Sequence, residues 1–105
     1  MDLDAMLKDL REKYIRELPD MIESIEVFYA QKNLSLVREE FHKLRGTGKT
    51  YGVDEISVLG ECVENLCVFF PESAEQLIPF AIRLLSKIHV SRSQNLIFDI
   101  HLDAD

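Results

Sequence analysis

The chain has 105 residues and a formal net charge of −7, with 47% apolar and 30% charged residues, a balance that fits one folded domain with one hydrophobic core. No apolar run approaches the ~18 residues that span a bilayer, and the acidic balance excludes general nucleic-acid binding because the field of the molecule repels phosphate backbones. Four glycines and three prolines are too few for an all-β chain of many tight turns.

The start, Met1-Asp2-Leu3-Asp4, is acidic and unlike the basic opening of a secretory signal, so the cytoplasm is the expected compartment. From there Leu3, Leu7, Leu10, Tyr14, Leu18, Met21, Ile25 and Phe28 recur at steps of three or four, the stripe of an amphipathic helix. The stripe keeps its phase across Pro19, which removes a backbone donor and crowds the carbonyl of Ile15. The expectation is one kinked helix, or two nearly collinear ones, ending near Gln31.

Asn33 is placed to cap a second helix, whose inward stripe is Leu34, Val37, Phe41, Leu44, Gly48 and Tyr51 and which stops at Gly52. Asp54 is the expected cap of a third helix, with Ile56, Leu59, Val63, Leu66 and Phe70 inward and Pro71 marking its end. Ser73 with Gln76 has the form of a capping box, while Pro79 one turn on offers a second possible start for the fourth helix. Its inward positions are Ala74, Leu77 or Ile78, Ala81, Leu84 or Leu85, and Ile88. After Val90 the periodicity fades, and Leu96-Ile97-Phe98 can extend the helix, form an extra turn or lie extended. The whole reads as an all-α antiparallel four-helix bundle, a single domain over 1–105 with its core at about 4–90 and a tail at 91–105. Cys62 and Cys67 diverge on one helix, so free buried thiols are expected, and no ligand spacing suggests a metal.

The chemistry concentrates on the second helix. Between Arg38 and Lys49 stand four cations (Arg38, Lys43, Arg45, Lys49) against Glu39 and Glu40 alone. At ~100° per residue Arg45, Arg38, Lys49 and His42 fall within about 60° of one another, turned from the core, with Gly46 just beyond and Lys43 on the far edge. A neutral imidazole is a good nucleophile, and a phosphoryl group placed on it would carry charge that Arg and Lys neutralise. Phosphoryl transfer asks mainly for positioning and electrostatics. Gly46 lies one turn after His42; glycine inside a helix costs about 1 kcal/mol against alanine, and a bare backbone there would let a partner close over the ring. Gly48, on the inward stripe, suits close helix packing. Taken singly, a surface histidine, a basic stretch and two glycines are each ordinary; their coincidence is what points to a site. There is no P-loop and no Gly-rich nucleotide loop, so no autonomous kinase activity is expected. Glu39 and Glu40 are neighbours that diverge on a helix, which leaves no carboxylate pair for hydrolysis.

Read together, His42-Lys43-Leu44-Arg45-Gly46-Thr47-Gly48-Lys49-Thr50-Tyr51-Gly52 resembles the signature of histidine-containing phosphotransfer (HPt) domains, and the resemblance extends over roughly residues 10 to 90. It implies a carrier in a two-component phosphorelay that exchanges a phosphoryl group between His42 and the aspartate of a response-regulator receiver domain. By the same resemblance Arg45 screens the phosphate, Lys43 is a further charge and Gly46 gives clearance. Arg38 and Lys49 join the screening set from the helical wheel. No cofactor is implied for this chain; the Mg²⁺ belongs to the receiver partner. The expected partners are a receiver domain or a hybrid histidine kinase, with no nucleic acid and no membrane, and the expected state is a monomer. The competing reading is a non-catalytic helical adaptor that binds such a domain without being phosphorylated. Thr47 and Gly48 stand where the family often has alanine and serine, and Lys49 and Thr50 are bulkier than usual there.

Overall fold

The computed structural model describes residues 2–100. They form α1 (Leu3–Ala30), α2 (Leu34–Thr50), α3 (Asp54–Phe69) and α4 (Pro71–Ser93), an all-α bundle in which successive helices run antiparallel. Among the described residues no helix is long and apolar enough to cross a membrane. The core gathers Leu18 and Ile25 from α1, Val37, Phe41 and Leu44 from α2, Ile56 from α3, and Ile78, Leu85 and Ile88 from α4, all with almost no exposed surface. Each such side chain contributes about 1.5–3 kcal/mol by leaving water.

α1 is a single helix that runs through Pro19 rather than two collinear ones. Its cap is Asp2, whose carboxylate accepts from the amide of Asp4 at 3.0 Å. The side chain of Asn33 accepts from the amide of Leu36 at 3.1 Å and opens α2 as expected. Gly52, at φ +79°, takes the left-handed conformation just past the end of α2 that glycine adopts without a Cβ penalty.

Several expectations are corrected. Val53, not Asp54, is the residue before α3; Asp54 and Glu55 sit inside its first turn, where their charge favours the positive end of the helix dipole. α4 begins at Pro71 rather than at Ser73 or Pro79, with proline in the first turn, where its missing N–H costs nothing. Phe70 lies between α3 and α4 and is exposed, because the backbone leaves the helical conformation there and takes it off the inward stripe; Cys67 is buried instead. Cys62 is exposed at the edge of an apolar groove between α3 and α4 that also includes Val58, Leu66, Leu77 and Phe80. The first three stripe positions of α1, Leu3, Leu7 and Leu10, are exposed as well.

Pro79 lies inside α4, where it cannot donate to the carbonyl of Glu75. Tyr29 of α1 fills that vacancy: its hydroxyl donates to the Glu75 oxygen at 3.0 Å. After Ser93 the chain turns through Asn95 at φ +60°, with the amide of Leu96 bonded to the Ser91 carbonyl at 2.8 Å. It then folds back so that Phe98 packs on the core and Ile100 is buried. The last part of the expected tail, residues 101–105, lies outside the described residues, as does Met1.

Candidate functional site

Phe41 and Leu44 are buried on α2, and with that face fixed inward His42 turns out, its side chain 69% exposed. α3 runs beside it in close contact. A Cβ at Gly60 would stand 2.7 Å from the Phe41 carbonyl oxygen and the Arg45 amide nitrogen. One at Gly48 would stand 2.8 Å from the Ser57 amide nitrogen. Two glycines, one from each helix, thus let the backbones approach further than any side chain would allow. The Ser57 hydroxyl, 2.5 Å from the Lys49 amide, ties the same seam.

That approach sets Glu64, one turn past Gly60, against His42: its Oε1 is 2.8 Å from the imidazole Nδ1. The other oxygen, Oε2, accepts from Nη1 of Arg45 at 3.4 Å, and Nη2 of Arg45 is 3.7 Å from Glu61. Burial acts to push the Glu64 carboxyl up, but the hydrogen bond and charge of His42, joined by those of Arg45, outweigh it and hold the group below the usual carboxylate range. Glu64 is therefore a carboxylate near neutral pH and can only accept, so the Nδ1 atom it faces must carry the proton. In a neutral ring the lone pair is then on Nε2, the nitrogen on the opposite side of the imidazole from Glu64.

The four predicted cations are dispersed around this pair. Arg45 joins it directly. Arg38 shares a shallow cleft of about 370 Å³ with Glu39, His42, Glu64 and Val68. Lys49 faces a neighbouring cleft with Arg45, Asp54, Ser57 and Glu61. Lys43 pairs with Glu40 at 3.1 Å. A Cβ at Gly46 would meet nothing within 4 Å, so the chain's own packing makes no demand for glycine there. Gly48, by contrast, is required by the helix contact.

Sequence reasoning missed Glu64, Glu61 and Gly60. The signal for Glu64 exists only once α3 is laid antiparallel on α2, because nothing in a spacing of 22 residues places a carboxylate beside an imidazole. What the assembled group offers is a solvent-facing nitrogen nucleophile, a carboxylate to hold the ring proton, and guanidinium groups within reach of an incoming anion.

No curated protein and no solved structure matches the chain. The family model of the Hpt domain matches residues 9–94 of the 105, which takes in all of α2, α3 and α4 and most of α1. The chain belongs to the Hpt domain family, whose role is histidine phosphotransfer in two-component signalling.

Proposed function

We propose that this protein is a phosphorelay carrier in which Nε2 of His42 accepts a phosphoryl group from the aspartyl phosphate of a receiver domain and returns it to a second such aspartate. The observation that supports this most is the hydrogen bond between His42 Nδ1 and Glu64. In the transfer the N–P bond forms at Nε2 as the bond from phosphorus to the aspartyl oxygen breaks, and the aspartate leaves as a carboxylate. The ring becomes cationic, with its proton still on Nδ1 and facing Glu64. A fixed negative charge at that point stabilises the product of the step more than its start.

Arg45 is the nearest cation to screen the phosphoryl oxygens, and it can do so by exchanging its bonds to Glu61 and Glu64 for the new anion. Arg38, across the shallow cleft, is the second; Lys43 and Lys49 would act at longer range after leaving Glu40 and the neighbouring cleft. Gly46 gives the partner access on the turn after His42. The chain needs no cofactor for its share of the reaction, and the Mg²⁺ is supplied by the receiver. It acts in the cytoplasm, where receiver domains and the catalytic parts of hybrid kinases would meet it, and it does not phosphorylate itself from ATP.

The test is to mix the protein with a receiver domain phosphorylated by a small-molecule donor in Mg²⁺. A label that is acid-labile and base-stable should appear on the wild type and be absent from His42→Gln, which should keep its helical circular dichroism. A labelled His42→Gln variant would overturn the site. A folded wild type that binds phosphorylated receivers and never takes the label would support the adaptor reading instead.

A further inference from the structure

α1 is longer than the helices beside it. Its 28 residues span ~42 Å, whereas the 17 of α2 span ~26 Å. Tyr29 is bonded to Glu75 near the start of α4, and Tyr14 stacks on Tyr51 at the end of α2, with ring centroids 5.0 Å apart. Both neighbours are therefore spent by about Tyr14, and the first turns of α1 project past the bundle. Along that projection the inward stripe continues in phase and stays largely uncovered among the described residues: Leu3 is 60% exposed, Leu7 48%, Leu10 42% and Met6 41%. An isolated stretch of helix carrying an apolar stripe into water is the mark of an interaction surface.

We infer that the overhang is a self-association surface, on which the same segment of a second copy packs antiparallel and joins two bundles end to end. Charge and register select this occupant. With Leu3 and Leu10 at one coiled-coil core position and Leu7 and Tyr14 at the other, antiparallel pairing sets Leu7 against Leu10 of the second copy and brings Leu3 to the rim of its bundle, beside a Tyr14 that is itself buried against Tyr51. In that register the residues flanking the seam are Asp4 and Arg11, which meet as opposite charges, and the two-fold axis makes the pair twice. Met6 lies along the aliphatic stem of Lys13 on the other flank. Sliding by one heptad, so that Leu3 meets Leu7, sets the two Asp4 carboxylates opposite each other and is disfavoured.

The end of the bundle provides a place for the incoming Leu3. A recess of about 110 Å³ lies at the mouth, lined by Leu10, Lys13, Tyr14, Glu17 and Tyr51, next to the layer that Leu3 must reach. Arg11 is at the same mouth, its guanidinium beside Gly52. Antiparallel packing also opposes the two helix dipoles favourably. The contact is short, so it belongs with weak, concentration-dependent interfaces. It lies at the end of the bundle and leaves the exposed side of α2 that carries His42 uncovered, so the inference stands apart from the phosphotransfer reading.

Sedimentation velocity of the full chain, from about 10 μM to about 1 mM, tests it. The expected result is a monomer–dimer equilibrium that Leu7→Glu weakens by at least about tenfold with unchanged circular dichroism at low concentration. Asp4→Arg and Arg11→Asp should each weaken the dimer, and the double variant Asp4→Arg/Arg11→Asp should restore it. Because the Asp4→Arg change is still present in the double variant, recovery cannot come from helix propensity at the start of α1. A wild type that stays monomeric throughout overturns the inference, as does a dimer that survives Leu7→Glu. Failure of the double variant to recover overturns the antiparallel register.

Discussion

Glu64 and His42 come from helices that meet only through tertiary packing, and the 2.8 Å between Oε1 and Nδ1 fixes which imidazole nitrogen is free to react. Replacing the carboxylate separates its two roles. Glu64→Gln keeps a side-chain oxygen that can accept from Nδ1 but removes the charge; Glu64→Ala removes both. Phosphorylation of His42 by a receiver should slow in both, by about tenfold or more for Gln and further for Ala. Imidazole ¹⁵N shifts should show the proton on Nδ1 in the wild type and a mixture of tautomers in Glu64→Ala. An unchanged tautomer in Glu64→Ala would separate the ring's protonation from this contact.

The same contact sets a pH dependence with a definite sign. The Glu64 carboxyl titrates below its ordinary value of 4.5 in the folded chain, so the folded state favours its ionised form. Its contribution to stability is complete above the ordinary carboxylate pKa and is lost as pH falls through the lowered folded value. The stability difference between wild type and Glu64→Gln should accordingly shrink as pH falls below about 4.5, as read from urea midpoints across a pH series. A difference that grows on acidification would reverse the assignment.

Gly46 and Gly60 make opposite predictions for the same substitution. Alanine at Gly46 meets open space, so it should gain helix propensity and raise stability by about 0.5–1 kcal/mol. If the bare backbone serves partner access, Gly46→Ala should slow transfer from a receiver domain while leaving labelling by phosphoramidate unchanged. Alanine at Gly60 would press on the backbone of Phe41 and Arg45, atoms that cannot move aside singly. Gly60→Ala should cost about 1–3 kcal/mol. It should also slow labelling by the small donor, because parting α2 from α3 takes Glu64 off the ring. Thermal melts and the two donors side by side measure both.

How far the molecule could be read from its sequence follows from this. The apolar steps of three and four placed all four helices, and Asn33 and Gly52 announced the ends of α2 because capping is a local matter. His42 and its cations lie on one helix, so a wheel was enough to find them. Glu64, Glu61 and Gly60 were invisible because their relation to α2 is set by how two helices cross. The exposure of Leu3, Leu7 and Leu10 was hidden for a related reason: a stripe gives the phase of a helix but not the length of its neighbours. Pro79 misled because a proline can sit inside a helix when a distant side chain takes up the carbonyl it releases.

Tyr29 is that side chain, and its worth should depend on Pro79. Tyr29→Phe leaves the Glu75 carbonyl without its partner and should cost about 0.5–1 kcal/mol. In a Pro79→Ala background residue 79 again has an N–H to donate to the same oxygen, so the added cost of Tyr29→Phe should fall close to zero. A double-mutant cycle in urea measures this coupling. Equal costs in the two backgrounds would mean that the hydroxyl acts elsewhere.

Arg92 and Glu55 form an ion pair largely withdrawn from solvent. Nε and Nη2 of Arg92 lie 2.6 and 2.7 Å from the two oxygens of Glu55, a bidentate pair, and Nη2 also donates to the Gly52 carbonyl at 3.3 Å. The hydrogen bonds that Arg92 donates to the Glu55 carboxylate raise the guanidinium pKa against the opposing effect of burial. The pair fastens the last turn of α4 to the first turn of α3 and to the turn between α2 and α3. Removing one member leaves the other charged and unpaired in that setting, so Glu55→Ala or Arg92→Ala should cost about 3–5 kcal/mol. Replacing both at once, as Glu55→Leu/Arg92→Met, should recover most of that loss, since apolar side chains there need no partner. Denaturant titrations of the three variants decide it: a double variant as unstable as the singles would show that the Gly52 carbonyl, left without Arg92, is the group that matters.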